Sequence, residues 1–472
     1  MDVNYLKRIF GDIGSATSIE EGARASKQLF VRSQDHLALF KKGAKGRKLT
    51  AWQAYQAFGI DKLEEAFNYG SAVLVSGHQE PASSLRKSRE DRGLTVYDIA
   101  KATKLKVNEI TSAEDARKTN PIYLLEKLAM TLGLDETHLS VRPLTESNEK
   151  LGIRLRQLRN SNPAFSPNTV IAFDEAAWVI QKQLLLSEWL GERLRLSDIG
   201  FEPDSRYGDK QYPAWQYGYE LARTTRKRLG IEPGDPIESL RTIVETQLKI
   251  PLIHLSLPSQ FAGATIAMGT ERGIAVNISG SNQNVWVRRA TIAHELAHLL
   301  WDPDSKLNTL VVDTFEAMDA QPPHIKEKEG DFVEARANAF AIELLAPQEH
   351  AVELFDKKPD ISTGLRAVMD HFGVSFTGAK FQIWNAKNRS IALETFSVQD
   401  VEPTDEWKGR ESFTNDFFKP ESVPVSRRGV FAKYVAEALV QNLISEESAA
   451  AFLECSEQEL KKNLGTIKSI FQ

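Results

Sequence analysis

Residues 291–301 read TIAHELAHLLW and place two of the chain's nine histidines, His294 and His298, four positions apart. On a helix that spacing puts both imidazoles on one face, one turn apart, beside an apolar stripe of Ile292, Leu296, Leu299 and Leu300. Two imidazoles pointing at one spot suit zinc. Glu295 follows the first histidine and projects beside it, where it can take a proton from water polarised by a metal, which is the mechanical logic of the H-E-x-x-H pattern. Catalytic zinc needs three protein groups and one open position, commonly two His and one Glu. The third group is expected in EGDFVEARANAFAIELLAP at 329–347, a helix with an apolar face of Phe332, Ala335, Ala339, Ile342 and Leu345. Glu334 and Asn338 sit four apart on it, a carboxylate ligand with a supporting amide one turn later. A packed helix alone would also account for the histidine string. The Glu-bearing helix downstream and the strands just upstream favour the metal.

These two helices need a scaffold. At 472 residues the chain is longer than one hydrophobic core usually serves. A hydrophobic content of 42%, a charged content of 26% and a net charge of −5 exclude a disordered or globally basic chain, so nucleic-acid contact requires a local patch. No apolar run resembles a signal peptide or a membrane span, so the expectation is a soluble, cytoplasmic protein with no membrane contact. The single cysteine, Cys455, excludes an internal disulfide framework and a Cys-based zinc cluster. Any metal must therefore be held by His and carboxylate.

The patterning predicts a predominantly helical α+β chain. Residues 1–81 are expected to be a helical N-terminal region of unassigned role, as in IEEGARASKQLFVRSQDHLALF and AWQAYQAFGIDKLEEAF. Residues 82–141 form a run of short amphipathic helices, and 142–212 a linker and helical spacer. From 213 to 390 the pattern gives two helices, three strand-like runs (IPLIHLSL, GATIAM and GIAVNIS) and the two metal-site helices, with a helical region at 391–472. His254 in the first strand and His324 ten residues before Glu334 are candidates to stabilise an oxyanion.

Residues 217–350 resemble the ImmA/IrrE family of zinc metallopeptidases, on RRATIAHELAHLLW followed by EARANAFAIELLAP. The similarity continues into DISTGLRAVMDHFGVSFTGAKFQIWNAKN and VPVSRRGVFAKYVAEALVQNLISEESAAAFLECSEQEL, which are similar to the C-terminal parts of longer, regulator-type members. The resemblance implies a zincin-like fold, Zn²⁺ on His294, His298 and Glu334, and Glu295 as base. It also implies that GIAVNIS at 273–279 is the sheet edge along which a peptide lies. Ala297 stands where Gly is common and Arg336 where a second Glu is common. Neither change removes a ligand, although Arg336 adds a positive charge near the metal if it faces inward.

A second constellation lies at 85–140, where two short helices at about 95–102 and 106–113 flank a tight turn, with Ile99, Ala100, Leu105 and Ile110 spaced for a small core. It resembles the XRE (lambda-repressor-like) helix-turn-helix domain. That resemblance implies double-stranded DNA as a ligand and Lys106, Asn108, Thr111 and Ser112 as contacts. Lys104 replaces the usual turn glycine, and Glu109 puts a negative charge on the recognition helix. Residues 85–118 carry nine Lys/Arg against six Asp/Glu, a local net of +3 within a chain at −5. A dimerisation or docking module is the competing reading of this unit, and the basic stretch at 41–48 reads as a solvated loop.

Two functions are therefore expected. One is a zinc endopeptidase that cuts a specific protein partner, such as a repressor or antitoxin-like protein from a neighbouring gene, with the helix-turn-helix unit locating it. The other is a DNA-binding regulator or antitoxin-like binding protein on a silent peptidase fold, and a homodimer is compatible with either.

Overall fold

The computed structural model describes residues 3–75, 77, 79–142, 144–203, 213–268, 271–303, 307, 310–314, 331–412 and 423–470. The chain is mostly helical with two four-stranded sheets, and it divides into two compact units, Met1–Arg193 with Thr414–Gln472, and Leu194–Phe413.

The first unit opens with helices α1 (Val3–Phe10) and α2 (Ile19–Ala25), then strands β1 (Leu29–Arg32), β2 (His36–Leu39) and β3 (Arg47–Thr50), helix α3 (Ala51–Tyr69) and strand β4 (Ser71–Val73). The strands form an antiparallel sheet in the order β3-β1-β2-β4. This corrects the expectation of a helical region at 1–81, which is helix and sheet together. Only Ile19–Ala25 of the first quoted stretch is helical, and Leu29–Leu39 is a hairpin whose Phe30 and Leu37 point into the core. Arg47 and Lys48, the end of the basic stretch, lie in β3 and pair with Glu126 at 2.6 Å and Glu447 at 2.7 Å.

Next come α4 (Ala82–Asp91), α5 (Val96–Thr103), α6 (Val107–Ala113) and α7 (Ile122–Thr131), then the longer α8 (Glu146–Ser161) and α9 (Pro167–Trp189). Thr95 and Asp98 start α5 with a reciprocal capping box, and Lys104 ends it in the left-handed conformation at φ 60°. Buried charges tie this run to its neighbours. Arg92 of α4 pairs with Asp174 of α9 at 2.7 Å, and Arg32 of β1 donates to the carbonyls of Glu136 and Leu139 at 2.7 Å each. Residues 82–141 thus share one core with 1–81 and with the expected spacer.

The second unit begins with α10 (Ala214–Arg228) and the short α11 (Leu240–Thr242), followed by β5 (Leu252–Leu255), β6 (Phe261–Met268) and β7 (Glu271–Asn277). After α12 (Val285–Trp301) comes β8 (Val311–Thr314), then α13 (Asp331–Leu345), α14 (Gln348–Asp356), α15 (Ile361–Phe372), α16 (Phe376–Ala386) and α17 (Asp405–Arg410). The sheet order is β5-β7-β6-β8, with only the β5–β7 pair parallel. β7 is therefore paired on both sides, which overturns the expectation that residues 273–279 offer a free edge.

Asn284 caps α12, its side chain accepting from the backbone N–H groups of Trp286 and Val287. The helix is buried nearly all round, its polar residues included, because sheet and α13 both pack on it. Its first turns are fixed by Arg289, whose guanidinium meets Glu411 at 2.5 Å, while Glu411 also accepts from the Leu240 backbone N–H at 2.7 Å. α13 is set by α10: a Cβ on Gly218 would lie 2.4 Å from the Arg336 carbonyl and 2.9 Å from the Ala339 Cβ. Only glycine allows that approach.

The chain then returns to the first unit with α18 (Val430–Val440), α19 (Glu446–Phe452) and α20 (Glu457–Ile470), α18 packing on α9. Among the described residues no helix is long and apolar enough to cross a membrane.

Candidate metal centre

α12 and α13 bring together three of the residues singled out for zinc. His294 and His298 are buried, and their Nε2 atoms stand 3.2 Å apart. Glu334 on α13 places Oε2 3.2 Å from His294 Nε2 and 3.9 Å from His298 Nε2. A tetrahedral zinc with bonds near 2.0–2.1 Å separates its ligand atoms by roughly 3.3 Å, close to two of these three spacings, so the set could hold such an ion.

Each imidazole is oriented through its other nitrogen. His294 Nδ1 faces the Asn338 amide oxygen at 2.8 Å, and His298 Nδ1 faces the Asp302 carboxylate at 2.9 Å. Both acceptors favour a proton on Nδ1, which in the neutral imidazole leaves Nε2 free to face inward, the usual support of a metal-binding histidine.

Asp302 was not foreseen, and it answers the question posed by Arg336. The Arg336 side chain does face inward and is fully buried, but its guanidinium is ion-paired to Asp302 beyond His298. Its charge is absorbed one residue behind the ligand.

Glu295 is also fully buried, and Thr265 of β6 donates its hydroxyl to Oε2 at 2.7 Å. Oε1 has no hydrogen-bond partner among the described residues. Gly263 leaves room for it, since a Cβ there would come within 2.9 Å of that oxygen. Thr265 and Gly263 both lie in or beside the quoted GATIAM run, yet nothing in their spacing points to a glutamate thirty residues on.

A further residue joins the cluster. Asp313 of β8 is buried, with Oδ2 3.4 Å from His294 Nε2, and ligand atoms of His294, His298, Asp313 and Glu334 all lie within 4.8 Å of one another. Burial, and then the neighbouring Asp313 charge, push the Glu295 carboxyl well above its ordinary pKa. Burial opposes charge on His294, but Asp313 and Glu334 outweigh it and raise its pKa well above the imidazole range. Burial likewise disfavours the Asp313 carboxylate, and the imidazoles beside it nevertheless hold its pKa down. Two imidazoles and three carboxylates in so small a space fit a divalent cation.

The remaining candidates are elsewhere. His254 lies on β5, at the opposite sheet edge from β8; burial, aided by Arg288 and Arg241, pushes its pKa down to about 3. It is a neutral packing residue. His324 lies outside the described residues.

In the first unit Lys106, Asn108 and Thr111 are exposed on α6, whereas Ser112 is half-buried and donates to the Asn120 side chain at 2.8 Å. Glu109 accepts from the Lys106 backbone N–H at 2.8 Å, so its charge caps the helix N-terminus. Of the nine cations at 85–118, Arg86, Lys87, Arg89, Arg92 and Arg117 are in ion pairs. Lys101, Lys104, Lys106 and Lys118 are exposed, with no ion pair among the described residues.

No protein-family model matches the chain, and no curated protein matches it.

Proposed function

We propose that the chain is a zinc-dependent endopeptidase that cleaves a specific protein partner, with residues 82–141 serving as a helix-turn-helix unit that reads double-stranded DNA or docks the partner. One observation carries this reading: His294, His298 and Glu334 converge at ligand spacing while Glu295 stands beside them without being needed as a ligand. When bound, zinc polarises the scissile carbonyl and makes water a better nucleophile at neutral pH. Asn338 and Asp302 hold the two imidazoles in the tautomer that binds it. Glu295 Oε1 accepts the proton of the attacking water and returns it to the leaving amine, while Thr265 fixes Oε2 so that the carboxylate does not turn away.

The regulator on a silent peptidase fold draws on a different observation, the four exposed lysines around α5 and α6 that have no ion pair among the described residues. Glu295→Gln separates the two readings. The amide keeps the shape but cannot accept a proton, so zinc content and partner binding persist while cleavage falls by about 10²–10⁴. Zinc analysis, pull-down of the neighbouring gene product and the time course of a discrete cleavage fragment measure this. Identical behaviour of wild type and Glu295→Gln in all three would leave the binding regulator.

A further inference from the structure

β8 sits where an extended substrate would. Of the two edges of β6, one is paired to β7 and the other to β8, antiparallel, with Thr265 opposite Val311, Ala264 opposite Val312 and Gly263 opposite Asp313. β6 also carries Thr265, which holds Glu295, so its outer edge is the one that runs past the candidate catalytic groups. A peptide that adds to a sheet as a strand needs that edge free. In this chain residues 311–314 fill it.

The same strand also reaches the metal position. Asp313 lies across from the glycine whose missing side chain makes space at Glu295, and its Oδ2 is buried 3.4 Å from His294 Nε2. That oxygen accepts no hydrogen bond among the described residues, and it belongs to the four-residue set within 4.8 Å. Three protein ligands leave catalytic zinc an open position; four close it, as in structural sites.

We propose that residues 311–314 are an internal stand-in for substrate: Asp313 supplies a fourth protein ligand that closes the centre, and β8 must leave β6 before a peptide can bind. This rests on the peptidase reading above and makes the described state a latent one. Activation is then the displacement of a strand by a partner that offers its own extended segment to the edge of β6.

The test uses the full chain loaded with cobalt(II), whose visible absorption reports coordination number, titrated with acetohydroxamate as a small metal-binding probe. Wild type should show a four-coordinate spectrum and bind the probe weakly. A plug that occupies the site 90–99% of the time lowers apparent affinity about 10–100-fold, so Asp313→Ala should bind the probe tighter by that factor. Asp313→Asn, which keeps the volume, carries the comparison if the alanine variant does not fold. Equal probe affinity and equal spectra in wild type and the Asp313 variants would overturn the proposal while leaving the metal site intact. Loss of cobalt from a folded Asp313→Ala would also overturn it, because Asp313 would then be an obligatory ligand and no plug. Failure of wild type to take up cobalt, with no difference from His298→Ala, would instead remove the metal reading itself.

Discussion

Both units pair buried charges, but among the described residues only the second also gathers a buried cluster in which carboxylates outnumber their partners. In the first, buried ions are matched by opposite charge or backbone carbonyls: Arg92 with Asp174, Lys182 with Glu136 at 2.8 Å, Arg47 with Glu126, and Arg32 with the carbonyls of Glu136 and Leu139. In the second, His294, Glu295, His298, Asp313 and Glu334 face one another with more carboxylates than cations to balance them. Paired burial builds a core, whereas converging like charges are costly to fold and persist where an ion or a reaction uses them. The difference separates scaffold from candidate site without any appeal to relatives. It also locates the first unit's candidate function on its surface, where lysines have no ion pair among the described residues.

The contrast breaks most visibly if the cluster in the second unit needs no ion. His298→Ala should reduce zinc from about one per chain to well below that, since it removes one of the two imidazoles and leaves His294 with the Asp313 and Glu334 carboxylates alone. Elemental analysis of the purified chain checks this, and retained zinc would return the cluster to ordinary packing.

Next in size is Arg92→Ala, which should destabilise the first unit by about 3–5 kcal/mol by leaving Asp174 buried alone, with zinc content unchanged. Burial already pushes Asp174 up to about 6, against the opposing pull of Arg92. A folded pKa above the unfolded one means that protonation favours the fold. The stability gained from it is complete below the unfolded pKa near 3.8 and is lost as pH rises through 6. The Arg92→Ala loss, read from denaturant unfolding, should therefore be smaller at pH 5 than at pH 8.

Asp302→Ala should weaken zinc about 10–100-fold, because His298 loses the group that orients it. The double variant Asp302→Ala/Arg336→Met should recover stability but not affinity, and competition with a chelator distinguishes the two effects. The smallest effect is on the surface of the first unit. Lys106→Ala should reduce the dependence of log K on log salt by about 0.9 for duplex carrying the chain's own promoter region, with no change in zinc. An unchanged slope would assign α6 to protein docking.

The parts of this arrangement that were legible in the sequence are those encoded within one helix. His294, Glu295 and His298, like Glu334 and Asn338, declare themselves because a spacing of four fixes a common face before any tertiary contact forms. The α5–α6 turn was legible for the same local reason, even with Lys104 in the left-handed region. Asp302, Thr265 and Asp313 were not, since each acts across a gap that only packing closes, and Asp313 lies in an apolar run, TLVVDTF, with no periodic signal. The first sheet was missed because strands of four residues give too few repeats of period two to compete with a helical reading of the same apolar positions. The edge assigned to residues 273–279 failed for another reason: strand order is a property of the whole sheet and is not written in any one strand.

The way the chain threads its two units has a thermodynamic consequence. Leu194–Phe413 is an insertion within the first unit, whose halves are Met1–Arg193 and Thr414–Gln472. Were the insert unfolded, the first unit would have to close a loop of roughly 220 residues, an entropic cost of about 5 kcal/mol by the logarithmic length law. A folded insert is a shorter tether than an unfolded one of the same length. Whatever stabilises the insert should therefore also favour the first unit through connectivity alone.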